Sequence, residues 1–148
     1  MNSGSTLDDL KPLRLLVAVD GSAGSLMALN RAAQLAKEVP ASEVVVIYVL
    51  EQATGGTFTI EQEPDAERRA GSIMEDATTF MRNEGVEVTA AILRGPAPAK
   101  ILEYADGFRP NMILVGSKGM GHNRSDAVGS VADAVSRRSR WPVLVVRS

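Results

Sequence analysis

Five short apolar runs, separated by stretches of helical spacing, leave this chain very few folds to adopt. They cover residues 14–19, 43–50, 86–93, 112–115 and 143–146. Each is rich in β-branched residues. Asp20-Gly21-Ser22 closes the first, Gly116 closes the fourth and Pro142 introduces the fifth. Runs of this length, bounded by turn formers, read as buried strands. In the third run Val86, Val88, Ala90 and Ile92 alternate, which predicts one face turned inward.

Between the strands the period changes. Leu26, Leu29, Ala33 and Ala36 step by three and four residues, as one face of a helix does. Pro64 and Asp65 open a second helix, in which Ala70, Ile73, Ala77 and Phe80 repeat the step, and Gly85 can end it. A third, short helix is predicted over 99–106, after the Gly95-Pro96-Ala97-Pro98 turn. A fourth runs over 129–140, with Arg137, Arg138 and Arg140 at the end where cations complement the helix dipole.

The predicted order is β-α-β-α-β-α-β-α-β. Such alternation implies an α/β class: a single doubly wound, five-stranded, mainly parallel sheet with helices on both faces. Its crossovers should be right-handed. Such sheets bind ligands beyond the carboxyl ends of their strands, where the strand order switches direction. At 148 residues the chain suits one domain, expected over 12–148. Residues 1–11 are polar and are expected to form a flexible leader. Residues 51–64, with Gly55-Gly56, are the least regular segment and are read as a mobile loop.

Composition narrows the function. A net charge of −2 with 4% aromatics offers no basic, base-stacking face for nucleic acid. The Arg137–Arg140 cluster reads as a solvated helix end. The absence of cysteine excludes a disulfide scaffold, thiolate metal sites and a cysteine nucleophile, and suits a cytoplasmic protein. No stretch approaches the roughly 20 apolar residues of a membrane span, and the first residues lack the apolar run of a signal peptide.

Chemistry gathers at two strand ends. At the first, Asp20 follows a buried strand. Its carboxylate can accept from a ribose hydroxyl or an adenine amine, beside the free N–H groups of a starting helix. It can equally be the cap of that helix, and local sequence leaves the two readings level. At the second, Val115-Gly116-Ser117-Lys118-Gly119 leads, after nine residues, to Gly129-Ser130. Glycines let the backbone bend and leave space beside a phosphate. A helix start at Gly129-Ser130 favours an anion through its free N–H groups and dipole. A glycine-rich connection with a serine cap would read the same way locally.

The spacing Gly116-x2-Gly119-x9-Gly129-Ser130 resembles the glycine motif of nucleotide-binding universal stress proteins. Residues 15–22 resemble that family's first strand, 46–49 its second, 94–97 the turn after its third, and 113–117 and 142–147 its fourth and fifth. The similarity spans about residues 13–147. It implies a Rossmann-like strand order of 3-2-1-4-5 and an adenine nucleotide, ATP, ADP or AMP, as ligand. Asp20 would meet the adenosine, with Ala18 and Val19 lining its pocket. Val49 would offer backbone groups to the adenine. Val115 and Gly116 would underlie the ribose and first phosphate. Gly119, Gly129, Ser130 and Val131 would surround the phosphates. The last strand, Val143–Val146, would pair with its copy in a homodimer, which would also cover an exposed apolar edge.

The chain departs from the family between the glycines, where residues 123–128 are Asn-Arg-Ser-Asp-Ala-Val. Arg124 can hold phosphate. Asp126 repels it unless Mg²⁺ bridges the two. There is no Gly-x4-Gly-Lys-(Ser/Thr) motif, so a P-loop enzyme is excluded. The one histidine, His122, shares a loop with Gly119 and cannot alone build a zinc site. No catalytic residue and no metal ligand are assigned. A stress-response regulatory module that binds adenine nucleotide is the leading expectation. The alternatives are a ligand-free signalling or scaffolding dimer and a slow Mg-dependent ATPase built on Asp126.

Overall fold

The computed structural model describes residues 12–51, 62–118 and 128–148. The 1–11 leader, residues 52–61 of the 51–64 loop, and residues 119–127 with Gly119, His122, Arg124 and Asp126 lie outside the described residues.

Strands and helices alternate as β1 (Arg14–Ala18), α1 (Ala23–Glu38), β2 (Glu43–Leu50), α2 (Gln62–Asn83), β3 (Val88–Arg94), α3 (Ala97–Phe108), β4 (Met112–Gly116), α4 (Ser130–Arg138) and β5 (Val143–Val146). The strands form one sheet in the order β3-β2-β1-β4-β5. All four pairings are parallel. The expected class and strand order are both found.

β1 is the central strand because it is apolar on both faces. Leu16 sits in register with Val45 on one side and Ile113 on the other. Leu15, Leu16 and Val17 are fully buried. Alternate residues feed two separate cores. Leu15, Val17, Val44 and Val46 pack under α1 and α2 against Ala28, Leu29, Met74 and Met81. Leu16, Val45, Ile47 and Ile113 pack under α3 and α4 against Ile101, Ala105, Ala132 and Val135. Shortening one of the buried Leu, Ile or Met side chains among them to Ala costs about 2–5 kcal/mol.

Helix ends follow local chemistry. Gly85, at φ +80°, ends α2: its N–H donates to the Arg82 carbonyl and that of Val86 to the Met81 carbonyl. This is a Schellman cap, and the apolar residues that accompany it, Met81 and Val86, are both buried. α2 begins at Gln62, ahead of the expected Pro64. α3 begins at Ala97, because Pro98 fits the first turn of a helix. α4 is shorter than expected: Gly129 is its N-cap and Ser139 its C-cap.

The third strand differs from its sequence pattern. It starts at Val88, since Val86 belongs to the cap of α2. It is one of the two edge strands, and of this run only Val86 and Val88 reach the α1/α2 core. Ala90 is exposed and Ile92 is 45% exposed. Period-two alternation predicts sidedness, but coverage by α2 runs out along this edge.

Candidate functional site

The connection from β1 leads to α1 on one face, and that from β4 leads to α4 on the other. Between the two strand ends a cleft of about 720 Å³ opens, within the usual range for small-molecule sites. Ala18, Val19, Asp20, Val49, Val115, Gly116, Gly129, Ser130 and Val131 all line it. Nine of the ten residues singled out from sequence are thus brought together. The tenth, Gly119, lies outside the described residues.

At the end of β1, Asp20 and Ser22 take different tasks. The Ser22 hydroxyl caps α1, accepting from the Ser25 N–H at 3.1 Å. Asp20 does not cap the helix. Its Oδ1 accepts from the Ser22 N–H at 2.9 Å, and its own N–H donates to the Ser25 hydroxyl at 3.2 Å. These bonds hold the carboxylate at the cleft wall. Gly21 has φ +88° and lies where a Cβ would meet the Ile73 side chain of α2 at 2.8 Å. The turn is therefore clamped between helices.

The end of β2 presents backbone. The Ile47 carbonyl accepts from the Val19 N–H. Backbone groups on one strand edge recur every second residue, so Val49 turns its N–H and C=O to the same edge. β1 pairs with β2 only as far as Ala18 with Ile47, so these groups face the cleft. Leu50 faces the other way and accepts from the Gly95 N–H at 3.1 Å. Glu51 also lines the cleft, and its carboxylate caps α3 at the Ala97 N–H, 3.0 Å away.

At the end of β4, Gly116 has a packing task that the sequence does not reveal. A Cβ there would lie 2.4 Å from the Gly24 carbonyl carbon and 2.7 Å from the Ser25 nitrogen. At Gly24 a Cβ would meet the Lys118 carbonyl oxygen at 2.9 Å. The first turn of α1 and the end of β4 thus touch backbone to backbone. The space that Gly116 leaves, expected from sequence to lie beside a phosphate, is filled by the protein. Ser22 Oγ adds a 3.3 Å bond to the Lys118 carbonyl.

Beyond Gly116, Ser117 is buried. Its N–H donates to the Val146 carbonyl and its C=O accepts from the Gly129 N–H. These two bonds fix the start of α4 beside the end of β4. Among the described residues α4 has no side-chain cap; its first-turn residues Ser130, Val131 and Ala132 line the cleft, and the first amides of a helix lack intrahelical partners. Lys118 lines the same end.

Sequence reasoning missed Ser22, Ser25, Tyr48, Leu50, Glu51, Ala66, Arg69, Ala97, Ile101, Ser117, Lys118 and Ala132 as wall residues. Leu50 and Glu51 were legible as neighbours of Val49. Ala66 and Arg69 carry no local signal, since α2 reaches the cleft only through packing. A second groove, of about 480 Å³, lies along the outer side of α3 between Arg14 and Leu93. Its charged groups are already satisfied: Arg14 bonds Glu43 and the Phe108 carbonyl, and Lys100 bonds Glu103. Among the described residues no cluster of three or more His, Asp or Glu is arranged to hold a metal ion. None of the described helices is long and apolar enough to cross a membrane.

A parallel sheet with helices on both faces and a cleft at the switch point defines a doubly wound α/β domain, an architecture in which ligands usually bind at that position. The chain belongs to the universal stress protein family, whose model matches residues 13–147. The universal stress protein YxiE of Bacillus subtilis is 32% identical over 146 residues, covering 90% of this chain and 98% of YxiE. The structure of UspA from Lactobacillus plantarum superposes with a TM-score of 0.77 at 21% identity, covering 93% of this chain and 99% of that one. The Archaeoglobus fulgidus universal stress protein in complex with dAMP gives 0.69 at 24% identity, over 92% and 98%.

Proposed function

We propose that the cleft binds an adenine nucleotide, with the protein acting as a dimeric regulatory module of the stress response. The observation that carries this reading is that one cleft gathers the groups a nucleoside and a phosphate each need. It is lined by two carboxylates, Asp20 and Glu51, and by the open backbone edge of Val49. These suit a nucleoside, which offers hydroxyl and amine donors and a ring edge that bonds with backbone groups. It is also lined by Lys118 and by Ser130 and Val131 at the start of α4, and a helix start suits phosphate. The Archaeoglobus fulgidus relative, in complex with dAMP, supports the same ligand class.

In this reading Ala18, Val19 and Asp20 hold the adenosine, Val49 pairs with the adenine edge, and Val115 and Gly116 form the floor. Gly129, Ser130 and Val131 hold phosphate, with Gly119 joining them. AMP, ADP and ATP share the adenosine end and differ only at the phosphate end. Mg²⁺ would enter only with a longer phosphate chain, through Asp126. The dimer would form through β5, which pairs only with β4 among the described residues and leaves Val143 to Val145 half-buried on the sheet edge.

Calorimetric titration with AMP and ATP, against GMP and GTP, tests the ligand class. The expected result is saturable heat near one nucleotide per chain for the adenine series, with weaker guanine binding. Equal binding of both series would remove the adenine-reading role of Val49.

A further inference from the structure

We infer that Arg69 is a ligand-contacting residue that lays its guanidinium over the adenine ring. This rests on the nucleotide reading of the cleft. Arg69 and Ala66 line the cleft from α2. With Ile73 they fall at i, i+3 and i+7, on one helix face. Ile73 is the side chain seated against the Gly21 position of the β1 turn. Arg69 is exposed and lies one turn earlier on that face, on the Asp20 side of the cleft.

Three observations give it this role. Its neighbours of like charge are engaged: Arg68 pairs with Asp65, and Arg94 pairs with Glu67. Arg69 makes no ion pair among the described residues. The carboxylates at this end bond backbone amides, Asp20 at Ser22 and Glu51 at Ala97. With phosphate assigned to the start of α4, the group that Arg69 meets from α2 is the base. A planar guanidinium stacks on an aromatic face as an ammonium cannot. Ala66, being small, leaves room beside it for a flat ring.

The test compares the intact chain with Arg69→Ala and Arg69→Lys, titrating adenosine, AMP and ATP by calorimetry. Thermal midpoints without ligand serve as the folding control. Arg69→Ala should weaken all three ligands by the same factor, roughly 3- to 30-fold, with an unchanged midpoint. Arg69→Lys should recover only a small part of the loss. A loss that is absent for adenosine, grows from AMP to ATP and is rescued by lysine would overturn the stacking role in favour of a phosphate contact. Unaltered affinity in Arg69→Ala would also overturn it while leaving the cleft assignment standing. If the unsubstituted protein binds none of the three, the nucleotide reading itself fails and the inference falls with it.

Discussion

Asp20 and Ser22 divide two tasks that local sequence cannot separate. Both residue types cap helices, and only the geometry shows that Ser22 does so, leaving Asp20 at the cleft wall. Asp20→Ala should therefore weaken adenosine, AMP and ATP by a similar factor, about 10- to 100-fold, the range of a hydrogen bond to a charged group. Calorimetry on the three ligands checks it, and a loss confined to ATP would contradict the assignment. Gly116 makes the complementary point. It stood out in the sequence for its spacing, yet its missing Cβ answers to the backbone of Gly24, a contact between residues far apart in the chain. Gly116→Ala should cost about 2–3 kcal/mol in chemical denaturation, whether or not nucleotide is present. A variant as stable as the parent would mean that the two segments are not in backbone contact.

The elements were legible wherever burial and local chemistry agree. The runs that became β1, β2, β4 and β5 are apolar, short and closed by turn residues, and their bounds moved by a residue at most. Gly85 was readable as the end of α2 because a left-handed cap favours glycine; Arg109, which takes the same conformation after α3, carried no such signal. The third strand was less legible: its alternation says nothing of which strand lies at the sheet edge, and Ile92 is exposed for that reason. Three glycines separate conformation from space. Gly85 has φ +80° with open space around its Cβ position, so Gly85→Ala should cost about 1 kcal/mol through backbone strain alone. Gly71, within α2, has the same open space and no positive φ. Gly71→Ala should stabilise by about 0.5–1 kcal/mol, raising Tm by about 1–4 °C. Gly116 is the case where space decides. Opposite signs for Gly71→Ala and Gly85→Ala in thermal denaturation check this division.

At the scale of the whole molecule, strand alternation carried the topology, and the topology carried the cleft to the switch point between β1 and β4. What the sequence left hidden is what only assembly creates: the clamp between Gly24 and Gly116, the cap that Glu51 lends to α3, and the place of Arg69 in the cleft wall. The outer edge of β5, which pairs only with β4 among the described residues, belongs to the same scale. Native mass spectrometry of the full chain should show twice the chain mass, persisting in high salt because an edge pairing rests on backbone bonds and apolar contacts that salt does not screen. A monomer at micromolar concentration would remove the β5 pairing. Everything said of the cleft turns on the nucleotide. The decisive measurement is to denature the protein as purified, identify any released small molecule by mass spectrometry and titrate the stripped protein with AMP and ATP. The expected result is an adenine nucleotide at up to one per chain and saturable heat on titration. No released nucleotide and no heat from either titrant would contradict it.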